Sequence, residues 1–241
     1  MHHISGISIV IPVLNERKNL EKLIPTIYKI IKIKKFELII VDDHSNDGTN
    51  IFINKFNKSR RNKIKHLIRK AKNKDLSKSC VLGFNKSKYK YILVMDGDGQ
   101  HNPIYINKMY KIMISRDIDI LVAVRDLFSS RINGLNFLRV NMSRTITLII
   151  NGLFGFKTID PMSGFFLFKK NIFLKNKKKL FNQGYKILFD LITSDKNLKI
   201  DDIKINFLIR KKGSSKLDFN IIKILLKHII YKIIYKFSFI K

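Results

Sequence analysis

Two aspartates one residue apart, in Met95-Asp96-Gly97-Asp98-Gly99-Gln100-His101, directly follow the apolar run Tyr91 to Met95. Hard divalent cations such as magnesium or manganese take oxygen ligands and leave positions for substrate phosphates, so this pair at a strand end suits a diphosphate-bound metal. An acidic turn of this kind also serves as a solvated turn or as the cap of the next helix, and the pair alone leaves both uses open. Two further polar segments follow apolar runs in the same way: Val41-Asp42-Asp43-His44-Ser45-Asn46-Asp47-Gly48-Thr49 and Ile11-Pro12-Val13-Leu14-Asn15-Glu16. His44 and His101 stand beside these segments without the spaced partners of a zinc site, which favours neutral, hydrogen-bonded imidazoles.

The elements that must position these residues are short. Ile7 to Ile11, Phe36 to Val41, Tyr91 to Met95 and Ile118 to Val124 read as buried strands, each ending in polar or turn-forming residues. Helical patterns lie between them, the clearest being Leu20, Leu23, Ile24, Ile27, Ile30 and Ile31 on one face after a candidate cap at Asn15. Alternating strand and helix predict an α/β domain with a mostly parallel sheet and helices on both faces. Ligands of such sheets gather beyond the carboxyl ends of the strands, so the three polar segments should converge on one crevice.

The later half reads differently. Ser129 to Phe156 mixes apolar residues with Arg131, Arg139 and Arg144, as a surface-lying amphipathic region would. Ile203, Ile205, Phe207 and Ile209 alternate with Lys204, Asn206, Leu208 and Arg210 at the period of a strand. In the terminal stretch Asn220 to Lys241, Lys223, Lys227, Lys232 and Lys236 fall on two sides of a helix instead of forming one polar face. Long lysine stems can snorkel, so this helix is expected to lie at an interface or to dock on a membrane partner.

At 241 residues and 28.3 kDa the chain is expected to hold one catalytic domain with a tail. Its net charge of +30 attracts polyanions, although 38 Lys against 10 Arg, with abundant Ile and Asn, is also what an AT-rich genome imposes. The single cysteine, Cys80, lies in an apolar stretch and reads as an inert core thiol in a reducing compartment. The opening residues do not have the pattern of a signal peptide, and no apolar run approaches the roughly 18 residues of a spanning helix. A soluble or peripheral protein is expected.

Taken together, the three polar segments resemble the family-2 glycosyltransferases, whose nucleotide-binding half carries an opening like Ile-Pro-Val-Leu-Asn-Glu, a Val-Asp-Asp followed by Ser and Gly-Thr, and an Asp-x-Asp. Within that family the second half is similar to the dolichol- or polyprenol-phosphate mannosyltransferase group. Asp96 to His101, Asp160-Pro161-Met162-Ser163-Gly164-Phe165-Phe166, Gly184-Tyr185-Lys186-Ile187-Leu188, and Arg210 with Gly213, Ser215, Lys216 and Leu217 carry that likeness. The resemblance implies a metal held by Asp96, Asp98 and Gln100. It places Pro12, Leu14, Glu16, Val41, Asp43 and the Gly97 backbone around the base and ribose of the donor. Arg125, Arg139, Lys186, Arg210 and Lys216 would surround the diphosphate and the lipid phosphate, with Ser163 on the acceptor phosphate and Asp98, Arg125 and Arg210 at the chemistry. Without the resemblance, Arg125 and Lys186 read as ordinary surface charges. Ser214 and Asp190 stand where the group often has Glu, and Asp75 where it usually has Gly.

The resemblance therefore implies a glycosyltransferase-A fold with a Rossmann-like sheet and a C-terminal helix. The catalytic domain would span residues 1–217, with a nucleotide-binding half at 1–125 and an acceptor half at 126–217, and an interfacial or docking helix would occupy 218–241. The implied reaction moves mannose from GDP-mannose to a polyprenyl phosphate, dolichyl or undecaprenyl, with inversion. Magnesium or manganese would be the cofactor, and the place the cytoplasmic face of a membrane, with a small membrane protein as a candidate partner. A donor such as UDP-glucose or another acceptor is the alternative. A non-catalytic nucleic-acid-binding protein is the remote one, disfavoured because the motifs concentrate acidic residues, which repel phosphate unless a metal intervenes; nucleic acid is not an expected partner.

Overall fold

The computed structural model describes residues 4–59, 64–124, 148, 150–155, 158–208 and 219–238. The strands are β1 (Ile4–Val13), β2 (Phe36–Asp42), β3 (Lys65–Ile68), β4 (Tyr89–Val94), β5 (Ile120–Val124), β6 (Phe166–Lys169) and β7 (Ile200–Lys204). They form one sheet in the order β3-β2-β1-β4-β6-β5-β7. The pairs β1/β2, β1/β4, β2/β3 and β5/β7 are parallel, whereas β6 runs antiparallel to both β4 and β5. The sheet is thus mostly parallel, as the strand-helix alternation predicts.

Val10, Ile11, Ile39, Ile40, Val41 and Leu93 are wholly buried, because both faces of the sheet are covered. On one face lie α1 (Arg17–Ile30) and α4 (Tyr105–Ser115), the first through Leu20, Leu23, Ile24 and Ile27. On the other lie α3 (Leu76–Lys86) and α5 (Lys170–Asn176), with Cys80, Phe84 and Phe173 in the core. Cys80 is fully buried, and burial pushes its thiol well up. Between β2 and β3 runs α2 (Thr49–Lys58), and α6 (Ile187–Ile192) precedes β7.

Two local expectations change. Asn15 does not cap α1: it takes a left-handed backbone (φ 60), and its side chain instead accepts the amide of Asn46 across the sheet edge at 2.9 Å. Among the described residues, the alternation from Ile203 onward gives a strand to Lys204, which pairs in register with Val124 of β5; Ile209 and Arg210 lie outside them. Ile205 is still buried, and its amide donates to Val124 O at 3.1 Å.

The last helix, α7 (Phe219–Ser238), explains the two-sided lysines. Lys223 and Lys227 are exposed, whereas Lys232 turns inward, 2.5 Å from Asp190, with both side chains buried. Burial works to raise the Asp190 carboxyl, but His228 and the Lys232 charge hold it below its ordinary value. The ionised pair therefore contributes stability above the usual carboxylate pKa of about 3.9, and that contribution is lost as pH falls through the lower folded value. Thermal melts should show it: Asp190→Asn is expected to lose roughly 3 kcal/mol at neutral pH, since it strands a buried ammonium. The variant should also lose less further stability than wild type between about pH 6 and about pH 3.

Candidate active site

The strand order reverses direction at β1, which has β2 on one side and β4 on the other. A crevice opens beyond the carboxyl ends of sheet strands at such a switch point. Here it is a cavity of about 350 Å³ that receives Pro12 from the end of β1, Leu14 and Glu16 from beyond it, Asp43 from beyond β2, and Asp96, Gly97 and Asp98 from beyond β4. The three polar segments meet as the α/β pattern requires. The remaining wall comes from Lys74 and Asp75, from Met162, Ser163 and Gly164, and from Tyr185 and Lys186.

Peptide groups left by the ending strands are taken up by neighbouring strand ends. The amide of Asp43 donates to Val13 O (2.9 Å), and that of Arg69 to Asp42 O (2.8 Å). Asp42 Oδ1 accepts the Ser45 amide at 2.7 Å, and Ser45 Oγ accepts the Asn15 amide at 2.8 Å. Burial works to raise the Asp42 carboxyl, but His66 and Ser45 hold it low. Asp47 closes the same edge, accepting the Arg17 amide at the start of α1 and both the amide and hydroxyl of Thr49 at the start of α2. Burial opposes its charge too, and the Thr49 and Arg17 hydrogen bonds outweigh that.

Asp43 is buried 2.6 Å from Arg69, and its Oδ2 accepts the Asp75 amide at 2.6 Å. Lys74 Nζ bonds the carbonyls of Asp43 (2.8 Å) and His44 (3.2 Å). Asp75, the departure from the usual Gly, caps α3 through the Lys78 amide and accepts the Gly184 amide at 3.0 Å. The sequence reading overlooked Arg69 and Lys74. They lie in the basic stretch Arg69-Lys70-Ala71-Lys72-Asn73-Lys74, where nothing separates an inward cation from a solvated one.

The Asp-x-Asp turn is held from below. His101 is buried, and its Nδ1 accepts the Asp96 amide at 3.0 Å, so that nitrogen carries no proton. Its ring stacks on Phe165 (5.0 Å) and meets the edge of Phe207 (5.2 Å). Asp98 Oδ1 accepts the Gln100 amide at 3.0 Å, and Gln100 O accepts the amide of Leu208 at 2.9 Å. Above the turn, Gly164 lies so near Asp96 that an added Cβ would collide with the carboxylate, its Oδ1 at 2.8 Å. The turn that carries Gly164 is set by Asp202, which accepts the Thr158 hydroxyl (2.6 Å) and the Ile159 amide (2.8 Å). Burial, with the neighbouring Asp201 and Asp160, pushes the Asp202 carboxyl up.

Several residues singled out from the sequence sit elsewhere. Val41 lies wholly within the core, where an added Cβ on Gly83 would come 3.1 Å from its Cγ2, and is not among the residues lining the cavity. Gln100 also lies outside that lining. Ser163 lines the cavity, but its hydroxyl donates to Ala123 O at 2.8 Å, which ties the wall to the end of β5. Lys186 Nζ is 3.5 Å from Met162 O. Arg125, Arg139, Arg210 and Lys216, and most of Ser129 to Phe156, lie outside the described residues.

Among the described residues, no group of three or more His, Cys, Asp or Glu side chains could by itself hold a metal ion. Two carboxylates beside an open cavity nevertheless fit a hard cation whose other ligands are phosphate oxygens and water. Asp96 and Asp98 are the pair that could hold it.

A mostly parallel seven-stranded sheet with one antiparallel strand and helices on both faces is the glycosyltransferase-A fold. Its solved relatives include the glucosyl-3-phosphoglycerate synthase of Mycobacterium tuberculosis in complex with Mn2+ and UDP-glucose, with a TM-score of 0.72 over 95% of this chain and 79% of that one at 16% identity. The model of glycosyl transferase family 2 matches residues 8–176, and the chain belongs to that family. Relatives named dolichol-phosphate mannosyltransferase occur in Pyrococcus furiosus, 31% identical over 92% of this chain, and in Saccharomyces cerevisiae, 27% identical over 96% of this chain and 88% of that protein. The chain spans 62% of the length of the Pyrococcus protein.

The contact between Gly164 and Asp96 can be tested directly. Gly164→Ala should push the Asp96 carboxylate aside and weaken manganese binding about tenfold, read by titration calorimetry in the presence of a nucleoside diphosphate, with the far-ultraviolet circular dichroism unchanged.

Proposed function

We propose that this chain is an inverting hexosyltransferase that moves mannose from GDP-mannose to a polyprenyl phosphate at a membrane surface. The observation that carries the reading is the meeting of Asp96 and Asp98 with Glu16, Asp43 and Lys186 around one cavity at the sheet's switch point. That is an arrangement suited to a nucleoside diphosphate bound through a divalent cation. The choice of mannose and of a lipid phosphate is supported by the names of the relatives in Pyrococcus and yeast.

The chemistry asks little of a general base. An acceptor phosphate is already an anion, so its oxygen attacks the anomeric carbon while the bond from that carbon to the donor diphosphate breaks and the nucleoside diphosphate leaves. The protein must bring two anions together and stabilise the departing one. Magnesium or manganese, when bound, neutralises the diphosphate. Asp96 and Asp98 would hold that cation, with Gln100 at the base of the turn. Glu16 and Asp43 would face the nucleoside, and Lys186 would face the phosphates. Arg125, Arg139, Arg210 and Lys216 would complete the cationic side, with Ser163 shaping the wall on the acceptor side and Asp98, Arg125 and Arg210 nearest the reaction.

The UDP-glucose complex of the Mycobacterium synthase keeps a second donor in view. The likeness at 16% identity speaks for fold alone, so mannose remains the first choice. Transfer of radiolabel from GDP-mannose, with UDP-glucose as competitor, to a polyprenyl phosphate in detergent separates them. Chelator-sensitive mannosyl lipid is the expected product. Glucosyl lipid alone would overturn the sugar, and full turnover by Asp98→Asn, expected to lose at least about a hundredfold, would overturn the metal seat.

A peripheral place on a membrane surface, which we take to be its cytoplasmic face, draws support for the membrane contact itself from the outer side of α7. Leu226, Ile230 and Ile234 are 55%, 55% and 61% exposed at one-turn spacing, with Lys223 and Lys227 exposed beside them. Among the described residues, no helix is long and apolar enough to cross a membrane. An apolar row edged with lysines suits the headgroup region of an anionic bilayer, alone or beside a small membrane protein. Flotation with vesicles containing anionic lipid should show Leu226→Glu/Ile230→Glu binding about tenfold more weakly at an unchanged melting temperature.

A further inference from the structure

The stretch that brings Tyr185 and Lys186 to the cavity is fastened from outside the sheet. Its Gly184 amide donates to Asp75, and Gly184 O accepts the Ser77 amide at 2.9 Å, which seats the middle of the stretch on the start of α3. Its root is closed by Asp190, whose two carboxylate oxygens accept the amides of Phe181 (2.9 Å) and Asn182 (2.8 Å). Lys232 then spans both ends: Nζ lies 3.1 Å from Lys179 O before the stretch, and 3.1 Å from Asp190 O and 2.5 Å from Asp190 Oδ1 after it.

Lys232 does not act alone on α7. One turn before it, His228 stacks on Phe181 at 4.7 Å and meets the edge of Phe189 at 4.8 Å. A further turn back, Ile224 packs so near Gly184 that a Cβ there would sit 2.6 Å from its Cγ2. Residues at i, i+4 and i+8 of one helix thus bear on a single short stretch. An ammonium and a carboxylate buried this deeply are a poor device for stability alone, since apolar packing of the same volume often does as well or better. They do fix geometry, because each donor and acceptor of the socket has a particular place.

We propose that α7 is a working part of the transfer site, its inner row of Ile224, His228 and Lys232 positioning residues 180–186 and thereby Lys186. The inference rests on reading the cavity as the donor site. It assigns the helix a second task besides facing a bilayer, and it makes Lys232 a positioning residue, not one that touches substrate.

The test compares wild type with Lys232→Met and Ile224→Ala, well below their melting temperatures, by amide hydrogen exchange without ligand and by steady-state transfer from GDP-mannose. Both variants should exchange the amides of Phe181, Asn182 and Gly184 about tenfold faster, with those of β1 and β4 unchanged. Both should lose about tenfold in kcat/KM, carried mainly by the donor KM, and Lys232→Arg should recover part of the loss. A lower melting temperature with wild-type exchange and kinetic constants would make the helix a stabilising strut and overturn the proposal. Ile224→Ala leaves the charges in place, so it decides the matter should Lys232→Met not fold. A wild type that turns over no donor would sink the function proposed above, while the exchange comparison, which needs no substrate, would still decide whether α7 holds the stretch.

Discussion

The carboxylate of Asp43 is buried against the guanidinium of Arg69 and also accepts the amide of Asp75. Three parallel strands that stop side by side leave peptide groups and acidic side chains at one edge, and a core cannot cover them unpaired. At this edge, one acid joins the end of β2 to the residue after β3 and to the start of α3. Asp75, fixed in this way, reaches a further 109 residues along the chain to Gly184. The two halves of the cavity are therefore joined through charged hydrogen bonds in a partly dry setting, where such bonds are strong and their loss is costly.

The opposite wall depends on a steric constraint. Gly164 leaves the space that the Asp96 carboxylate occupies, and Asp202 holds the turn that delivers Gly164. His101 supports the same aspartate from beneath through its backbone amide. Asp96 is thus located by its main chain on one side and by the absence of a side chain on the other. A carboxylate confined in this way keeps its orientation before any cation arrives, which is what preorganisation of a metal seat requires.

Much of this architecture was legible because β1, β2, β4 and β5 are buried on both faces, and such strands announce themselves as short apolar runs. Their polar ends named Glu16, Asp43, Asp96 and Asp98 for the same reason. β6 was harder to see: Phe166 to Lys169 is only four residues, follows a glycine turn, and pairs antiparallel with strands far away in sequence. Asn15 looked like a cap because its type favours caps, yet the left-handed backbone turned its amide toward the next loop. Lys232 could not be separated from its neighbours by composition in a chain with 38 lysines, although its place on the opposite side of the helix from Lys223 was the visible trace of its burial.

Cys80 lies wholly covered on α3, on the face that seals β1 and β2. As the chain's single cysteine, it can be read without interference from any other thiol. A reagent in solution reaches it only in molecules where α3 has lifted from the sheet, and α3 is the helix to which Asp75 ties both walls of the cavity. The rate of thiol modification under native conditions therefore reports how often that corner of the protein comes apart, set against the rarer event of unfolding as a whole. Cys80 is in that sense a chemical gauge of local opening beside the cavity.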